Sequence, residues 1–166
     1  MRPELGGHLL IVARAVPEAV SVVTPYLCVA NAAKALEFYQ HVFGAKETMR
    51  FAEAGSGRIG HAELKLGNGT IMLSDEYPEM GYFGPKGPER PPISVHLYVE
   101  DVDAVYQRAL AAGSTSQREP EDQFYGDRNA QIRDPFGHSW FISTRVEEVS
   151  ADEMQRRFES AATQQS

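Results

Sequence analysis

The sequence predicts an α+β fold made of paired βαβββ modules, and three observations carry that prediction. A strand–helix pattern near the start recurs about 70 residues later in the same register. Each copy is followed by two alternating segments joined by a turn sequence, and a stretch crowded with proline and glycine separates the copies. A repeat of this kind marks a duplicated supersecondary unit.

Residues 1–20 carry little pattern and are read as an N-terminal arm. Module one spans 21–77. Leu27-Cys28-Val29 reads as its first strand, and Asn31 as a helix N-cap, because a short side-chain oxygen can accept from an orphan N–H of the first turn. Ala32, Ala35, Leu36, Tyr39 and Phe43 recur at helical spacing, and Gly44 suits the helix end. A weaker segment at 46–53 can supply a further strand. Residues 58–66 and 70–74 alternate as strands around Gly67-Asn68-Gly69, a strong hairpin signal.

Residues 78–92 contain five prolines and three glycines and read as a linker. Tyr82 and Phe83 leave a second reading open, a lid over a pocket. Module two spans 93–148. Leu97-Tyr98-Val99 is its first strand, Asp101 its N-cap, and Val102, Val105, Tyr106, Ala109 and Leu110 its helix, ending near Gly113. A weaker segment follows at 115–119. Strands at 129–133 and 139–144 flank Asp134-Pro135-Phe136-Gly137, a turn sequence. Residues 149–166 form a C-terminal helix and tail: Ser150 to Glu153 is a capping box, the helix runs through Phe158, and 161–166 fray.

Composition narrows the function. The 166 residues hold 16 Lys and Arg against 23 Asp and Glu, a formal charge of −7. No cationic excess exists to displace counterions, which argues against broad nucleic-acid or anionic-membrane binding. One cysteine, Cys28, excludes an intramolecular disulfide and any multi-cysteine metal site, and suits a cytoplasmic location. The apolar run 9–12 is too short for a signal-peptide core or a membrane span.

Strand alternation sorts side chains onto two faces. One set, including Leu27, Val29, Ala62, Leu64, Ile71, Leu73, Ala130, Ile132, Trp140 and Ile142, is apolar and must lie under the helices. The other includes Tyr26, Cys28, His61, Glu63, Met72, His96, Tyr98, Gln131, Arg133 and Phe141. That mixture of aromatic and polar groups suits a concave ligand surface; a solvated face with stray aromatics is the alternative.

The repeat, the Glu37-Phe38-Tyr39…Phe43-Gly44-Ala45 helix, Gly60-His61-Ala62-Glu63-Leu64, Val99-Glu100-Asp101-Val102-Asp103 and Tyr125-Gly126-Asp127-Arg128…Asp134-Pro135-Phe136-Gly137-His138 together resemble the vicinal oxygen chelate superfamily. That superfamily contains glyoxalase I, extradiol dioxygenases, fosfomycin-resistance proteins and bleomycin-binding proteins, and the chain is most similar to its PhnB-like branch. The resemblance covers residues 22–148 and implies a U-shaped mixed sheet with helices on the convex side. It also implies a homodimer, side-by-side or strand-swapped.

Family enzymes hold a divalent metal at four inner-facing positions. The resemblance carries these onto Thr24, Met72, Ser94 and Phe141, whose hydroxyls, thioether and phenyl are no working ligand set for Zn, Ni, Mn or Fe(II). No metal or other cofactor is therefore expected. A displaced site on His61, Glu63 and His96 is the alternative. His41 and His138 read as surface or turn residues, and His8 lies in the arm. Cys28 has no adjacent basic group to favour a thiolate. Asp127 and Arg128 read as a surface pair, or as a loop in which Arg128 or Arg133 meets an anionic ligand group, Arg133 having the inward parity.

The expected function is capture of a small aromatic or cationic molecule in a concave cleft, as in antibiotic sequestration. Tyr26, Tyr98 and Phe141 would stack, while His61, Glu63, His96 and Arg133 fix orientation. The alternative is a lyase, isomerase or dioxygenase using the displaced metal or a Glu63 or His96 general base.

Overall fold

A computed structural model describes residues 15–18 and 20–163. Most of the N-terminal arm, His8 and the last three residues lie outside the described residues. Module one runs β1 (Tyr26–Val29), α1 (Ala32–Phe43), β2 (Lys46–Ala52), β3 (Ile59–Leu66) and β4 (Gly69–Asp75). Module two runs β5 (Ser94–Tyr98), α2 (Val102–Ala111), β6 (Thr115–Asp122), β7 (Asp127–Arg133) and β8 (Ser139–Arg145), and α3 (Ala151–Thr163) follows. The strand orders are β1-β4-β3-β2 and β5-β8-β7-β6. In each module the first strand is parallel to the last and the other neighbours are antiparallel. This is the expected pair of βαβββ modules, with the mixed sheet divided into two four-stranded halves.

The repeat extends to individual hydrogen bonds. Asn31 Oδ1 accepts from Lys34 N at 3.0 Å, and Asp101 Oδ1 accepts from Ala104 N at 2.9 Å, so both expected N-caps form. The first N–H of each helix is held by the last strand of its own module. Ala32 N donates to Asp75 Oδ1 at 2.7 Å, and Val102 N donates to Thr144 Oγ1 at 2.9 Å. Gly44 closes α1 in the left-handed region at φ 69°, while α2 closes at Ala112 and Gly113 takes φ 100° one residue later. The helix expected to stop at Phe158 continues to Thr163. Nothing between breaks it, and Glu153–Arg157 and Gln155–Glu159 pairs one turn apart support it.

A single apolar core runs through both modules. Phe38, Tyr39 and Phe43 of α1 meet Phe136 and Trp140 of module two, with Phe43 and Trp140 ring centroids 4.6 Å apart. Asp134 is buried at this joint and fully satisfied. It accepts from Tyr39 Oη at 2.7 Å, Trp140 Nε1 at 2.8 Å, and the backbone N–H groups of Phe136 and His138, both at 2.9 Å. Burial, and then the Asp134 carboxylate, push the Tyr39 phenol far above its ordinary pKa. Arg108 of α2 donates twice to Val42 O, at 2.9 and 2.7 Å, satisfying the C-terminal turn of α1. His138, expected on a turn, lies 3.0 Å through Nε2 from Cys28 O and ties that turn to β1.

The 78–92 stretch is more than a spacer. Pro78–Met80 forms one 3-10 turn, and Tyr77 and Tyr82 pair as an isolated bridge. Gly84 N donates to Glu76 Oε1 at 2.8 Å, and a Cβ at Gly84 would stand 2.8 Å from Cys28 O, so the segment presses against β1 where only glycine fits. Among the described residues, no helix is long and apolar enough to cross a membrane.

Candidate functional site

The strand faces sort as the alternation requires. Leu27, Val29, Ala62, Leu64, Ile71, Leu73, Ala130, Ile132, Trp140 and Ile142 are all buried. The opposite set faces away from that core. Between the modules β1 and β5 flank a cleft of about 750 Å³, lined by Tyr26, Cys28, Ser94 and His96 together with Phe83, Pro85 and Arg90 of the connecting stretch. That volume accommodates a drug-sized molecule. Phe83 and its neighbours thus form a wall of the cleft, closer to the lid reading, whereas Tyr82 turns back to Tyr77.

On module one, Tyr26 Oη lies 3.0 Å from His61 Nδ1, and His61 Nε2 lies 3.1 Å from Glu63 Oε1. The three form one hydrogen-bonded row. His61 is contacted by the rings of Tyr26 at 5.6 Å and Phe51 at 6.3 Å. Met49 and Phe51 stand opposite Glu63 and His61 in the β2–β3 ladder, so they share this face. Tyr26 is 50% and Phe51 62% exposed, so two rings flank His61 on the open face.

On module two, the β6, β7, β8 and β5 ladders align Arg118, Gln131, Phe141 and His96 in one cross-strand row. His96 stacks on Tyr98 at 4.9 Å and on Phe141 at 5.8 Å. Its Nε2 lies 2.8 Å from Ser143 Oγ, which accepts from Asn129 Nδ2 at 2.6 Å, and Asn129 Oδ1 accepts from Arg118. Partial desolvation pushes the exposed His96 imidazole below its ordinary pKa, and Asp127 opposes the shift. Tyr98 Oη donates to Asp127 Oδ2 at 2.7 Å; Arg145 donates to the other oxygen.

The expected residues therefore gather in two groups: Tyr26, His61 and Glu63 on module one, and His96, Tyr98 and Phe141 on module two. Arg133 joins neither. Its guanidinium donates to Gly137 O at 3.2 Å and Gly87 O at 2.7 Å, clamping the β7–β8 turn to the connecting stretch. Asp127 and Arg128 are not a surface pair. Asp127 is 1% exposed, and Arg128 binds Asp103 and Asp122 instead. Cys28 is held as the thiol, its pKa raised by burial and by Glu76 and Asp75.

The donor set does not fit a divalent metal. Thr24 Oγ1 is committed to Ser21 O at 2.7 Å, Ser94 Oγ accepts from Arg90 at 3.4 Å, and Met72 and Phe141 add a thioether and a phenyl. Among the described residues no three His, Cys, Asp or Glu side chains are grouped closely enough to hold a metal ion, so His96 does not complete a site with His61 and Glu63.

Four residues escaped the sequence reading. Met49 and Phe51 lie on β2, where register shifts scramble the alternation. Arg118 lies on β6 between two such irregularities, and Arg90 in the proline-rich stretch has no periodicity to place it. Strand pairing places Met49, Phe51 and Arg118, and contact with Phe141 places Arg90.

Comparison with known proteins gives the same architecture. An uncharacterized protein of Mycobacterium bovis is 41% identical over 140 residues, covering 82% of this chain and 91% of that protein. The crystal structure of TioX from Micromonospora sp. ML1 is similar at a TM-score of 0.58 and 26% identity, covering 76% of this chain and 99% of TioX. The fosfomycin resistance protein FosX of Listeria monocytogenes shares the fold at a TM-score of 0.59 and 18% identity, over 81% of this chain and 97% of FosX. The PhnB protein of Bacillus cereus does so at 0.60 and 18%, over 75% and 99%. The family model matches residues 18–142, and with that the duplicated modules have their family: the chain belongs to the Glyoxalase/Bleomycin resistance protein/Dioxygenase superfamily.

Proposed function

We propose that this protein is a metal-independent binding protein that captures a small aromatic molecule on its concave faces. The observation that carries the reading is the retention of Tyr26, Phe51 and Tyr98 at 50%, 62% and 55% exposure beside oriented polar groups. Exposed rings already held in stacked arrays lose little freedom when a planar ligand slides against them, so most of the stacking gain survives as affinity. Support for a cationic substituent comes from module one, where Glu63 stands among Tyr26, His61, Phe51 and Met49. Carboxylate and aromatic faces together suit an ammonium group. Sequestration of an antibiotic is the biological form of this reading, and the name of FosX puts fosfomycin on the panel to be tried.

A thermal-shift panel of planar aromatic natural products, cationic amines and fosfomycin tests it. Stabilisation by an aromatic compound, lost in Tyr26→Ala and Phe141→Ala, is expected. No stabilisation by any compound, with glyoxalase or dioxygenase turnover on adding Mn(II), Zn(II) or Fe(II), overturns it.

A second reading has one observation in its favour. The row Tyr26–His61–Glu63 is a proton path in which Glu63 orients the imidazole and His61 can take a proton from Tyr26 Oη. Acid–base turnover would then fall about 10²–10⁴-fold in Glu63→Gln while ligand binding remained.

A further inference from the structure

We propose that the concave face of module two is an oxyanion subsite, formed by Arg118 and Arg90 around Phe141, and that it takes the carboxylate of a planar aromatic ligand. This rests on the aromatic-capture reading and specifies the ligand's charge at one end.

Arg50, Arg58, Arg128, Arg145, Arg156 and Arg157 each meet a carboxylate. Arg108 and Arg133 each place two guanidinium nitrogens on backbone carbonyls. Arg118 and Arg90 have neither a carboxylate nor a pair of carbonyls among the described residues. Both sit on the same face. Arg118 donates one N–H to the neutral amide of Asn129, which is completely buried, and its Nε is buried with no hydrogen-bond partner. Arg90 lies over Phe141, its guanidinium carbon 5.2 Å from the ring centroid, and donates to Ser94 Oγ at 3.4 Å. The Gln131 carboxamide lies 2.8 Å from Arg90, and turning the amide over would place its oxygen there as an acceptor.

Two permanent cations on one face, one with an unpartnered Nε and the other with a single long bond to a hydroxyl, are an unfinished arrangement. A guanidinium desolvated on one side and matched with amides forfeits the charge-assisted bonds that a carboxylate would supply bidentately. The carboxylates on this module do not supply them. Asp127 is taken by Arg145 and Tyr98, and Glu121, opposite Asn129 on the edge strand, forms no ion pair among the described residues. Between the arginines, beside the buried Gln131, Phe141 and His96 offer a phenyl floor and an imidazole already in stacking geometry. A planar ring on Phe141 and His96 would direct its carboxylate to the guanidinium groups. The overall charge of −7 repels anions at a distance, so recognition here is local and of short range.

The probes are 2-naphthoate, 2-naphthamide and 2-naphthylmethylammonium, titrated into the full chain with amide NMR shifts as the readout. The wild type is expected to bind the naphthoate about tenfold more tightly than the amide. Arg118→Gln should abolish that preference, Arg90→Gln should reduce it severalfold, and added salt should weaken only the naphthoate. Should Arg118→Gln lose its dispersed spectrum, Arg90→Gln decides alone, because Arg90 is exposed on the connecting stretch. Equal binding of naphthoate and amide, or a preference untouched in the folded variants, overturns the subsite and leaves the aromatic cleft standing. Absence of binding by all three at millimolar concentration overturns both.

Discussion

Two concave faces built on one backbone plan have opposite chemistry. In module one, the face of β1, β4, β3 and β2 holds Glu63 hydrogen-bonded to His61 among Tyr26, Phe51 and Met49. In module two, the matching face holds Arg118 on the amide of Asn129 and Arg90 on the Ser94 hydroxyl, around Phe141 and His96. The helices, caps and buried faces repeat closely; the open faces do not. Once a strand's inward side chains satisfy the core, its outward ones are free of the fold, so duplication preserves one set and lets the other diverge.

Four expected outcomes break or sharpen that contrast. The largest concerns the joint, whose buried acceptor Asp134 only module two supplies. Asp134→Ala would leave Tyr39 Oη, Trp140 Nε1 and two backbone N–H groups without an acceptor. A loss of about 3–5 kcal/mol in chemical denaturation is expected, against near neutrality for Asn68→Ala in the exposed turn of module one. A loss below about 1 kcal/mol would mean that Asp134 does not organise the joint.

Next comes the charge of module one. Glu63→Gln keeps shape and removes charge, so it should weaken 2-naphthylmethylammonium by up to about tenfold and spare 2-naphthamide. Equal loss of both probes would deny the contrast between faces. Smaller still is the difference in the caps. Thr144→Val removes one acceptor from Val102 N and should cost about 1 kcal/mol, whereas Asp75→Ala also deprives Ile59 N and should cost more.

The smallest effect is a pH dependence confined to module two. The His96 pKa is depressed in the folded chain, so the unfolded chain binds the extra proton first. His96 therefore adds stability that is complete above its unfolded pKa of about 6.5 and is lost as pH falls through the depressed folded value. Thermal melts from pH 8 to pH 5 should decline less steeply in His96→Gln than in the wild type. An identical decline would remove His96 as the cause.

What the sequence disclosed follows the same division. Both N-caps, the hairpin turn and every strand of the apolar parity were legible, because burial enforces a period of two in strands and 3.6 in helices. Tyr26, His61, Glu63, His96, Tyr98 and Phe141 could be placed on open faces by the same alternation. Arg133 could not be understood from parity, since its partners are carbonyls in a turn and in the connecting stretch, one of them 46 positions away. Arg118 and Arg90 were hidden for another reason. Bulged edge strands and proline-rich segments have no period, so their side chains acquire meaning only from what stands beside them in three dimensions.

The aromatic joint between α1 and module two also decides what happens if the chain is severed. Phe43 on Trp140, Tyr39 on Asp134 and Arg108 on Val42 O connect the modules without using the connecting stretch. A single tryptic nick after the exposed Lys86 would therefore yield two fragments that migrate together on a native gel and part only in denaturant. The same nick frees Arg90 from its tether and opens the wall formed by Phe83 and Pro85. On the proposed function, such a nicked protein would keep its cohesion and capture less ligand: the joint holds the modules together while the connecting stretch walls the cleft, and one protease can separate the two.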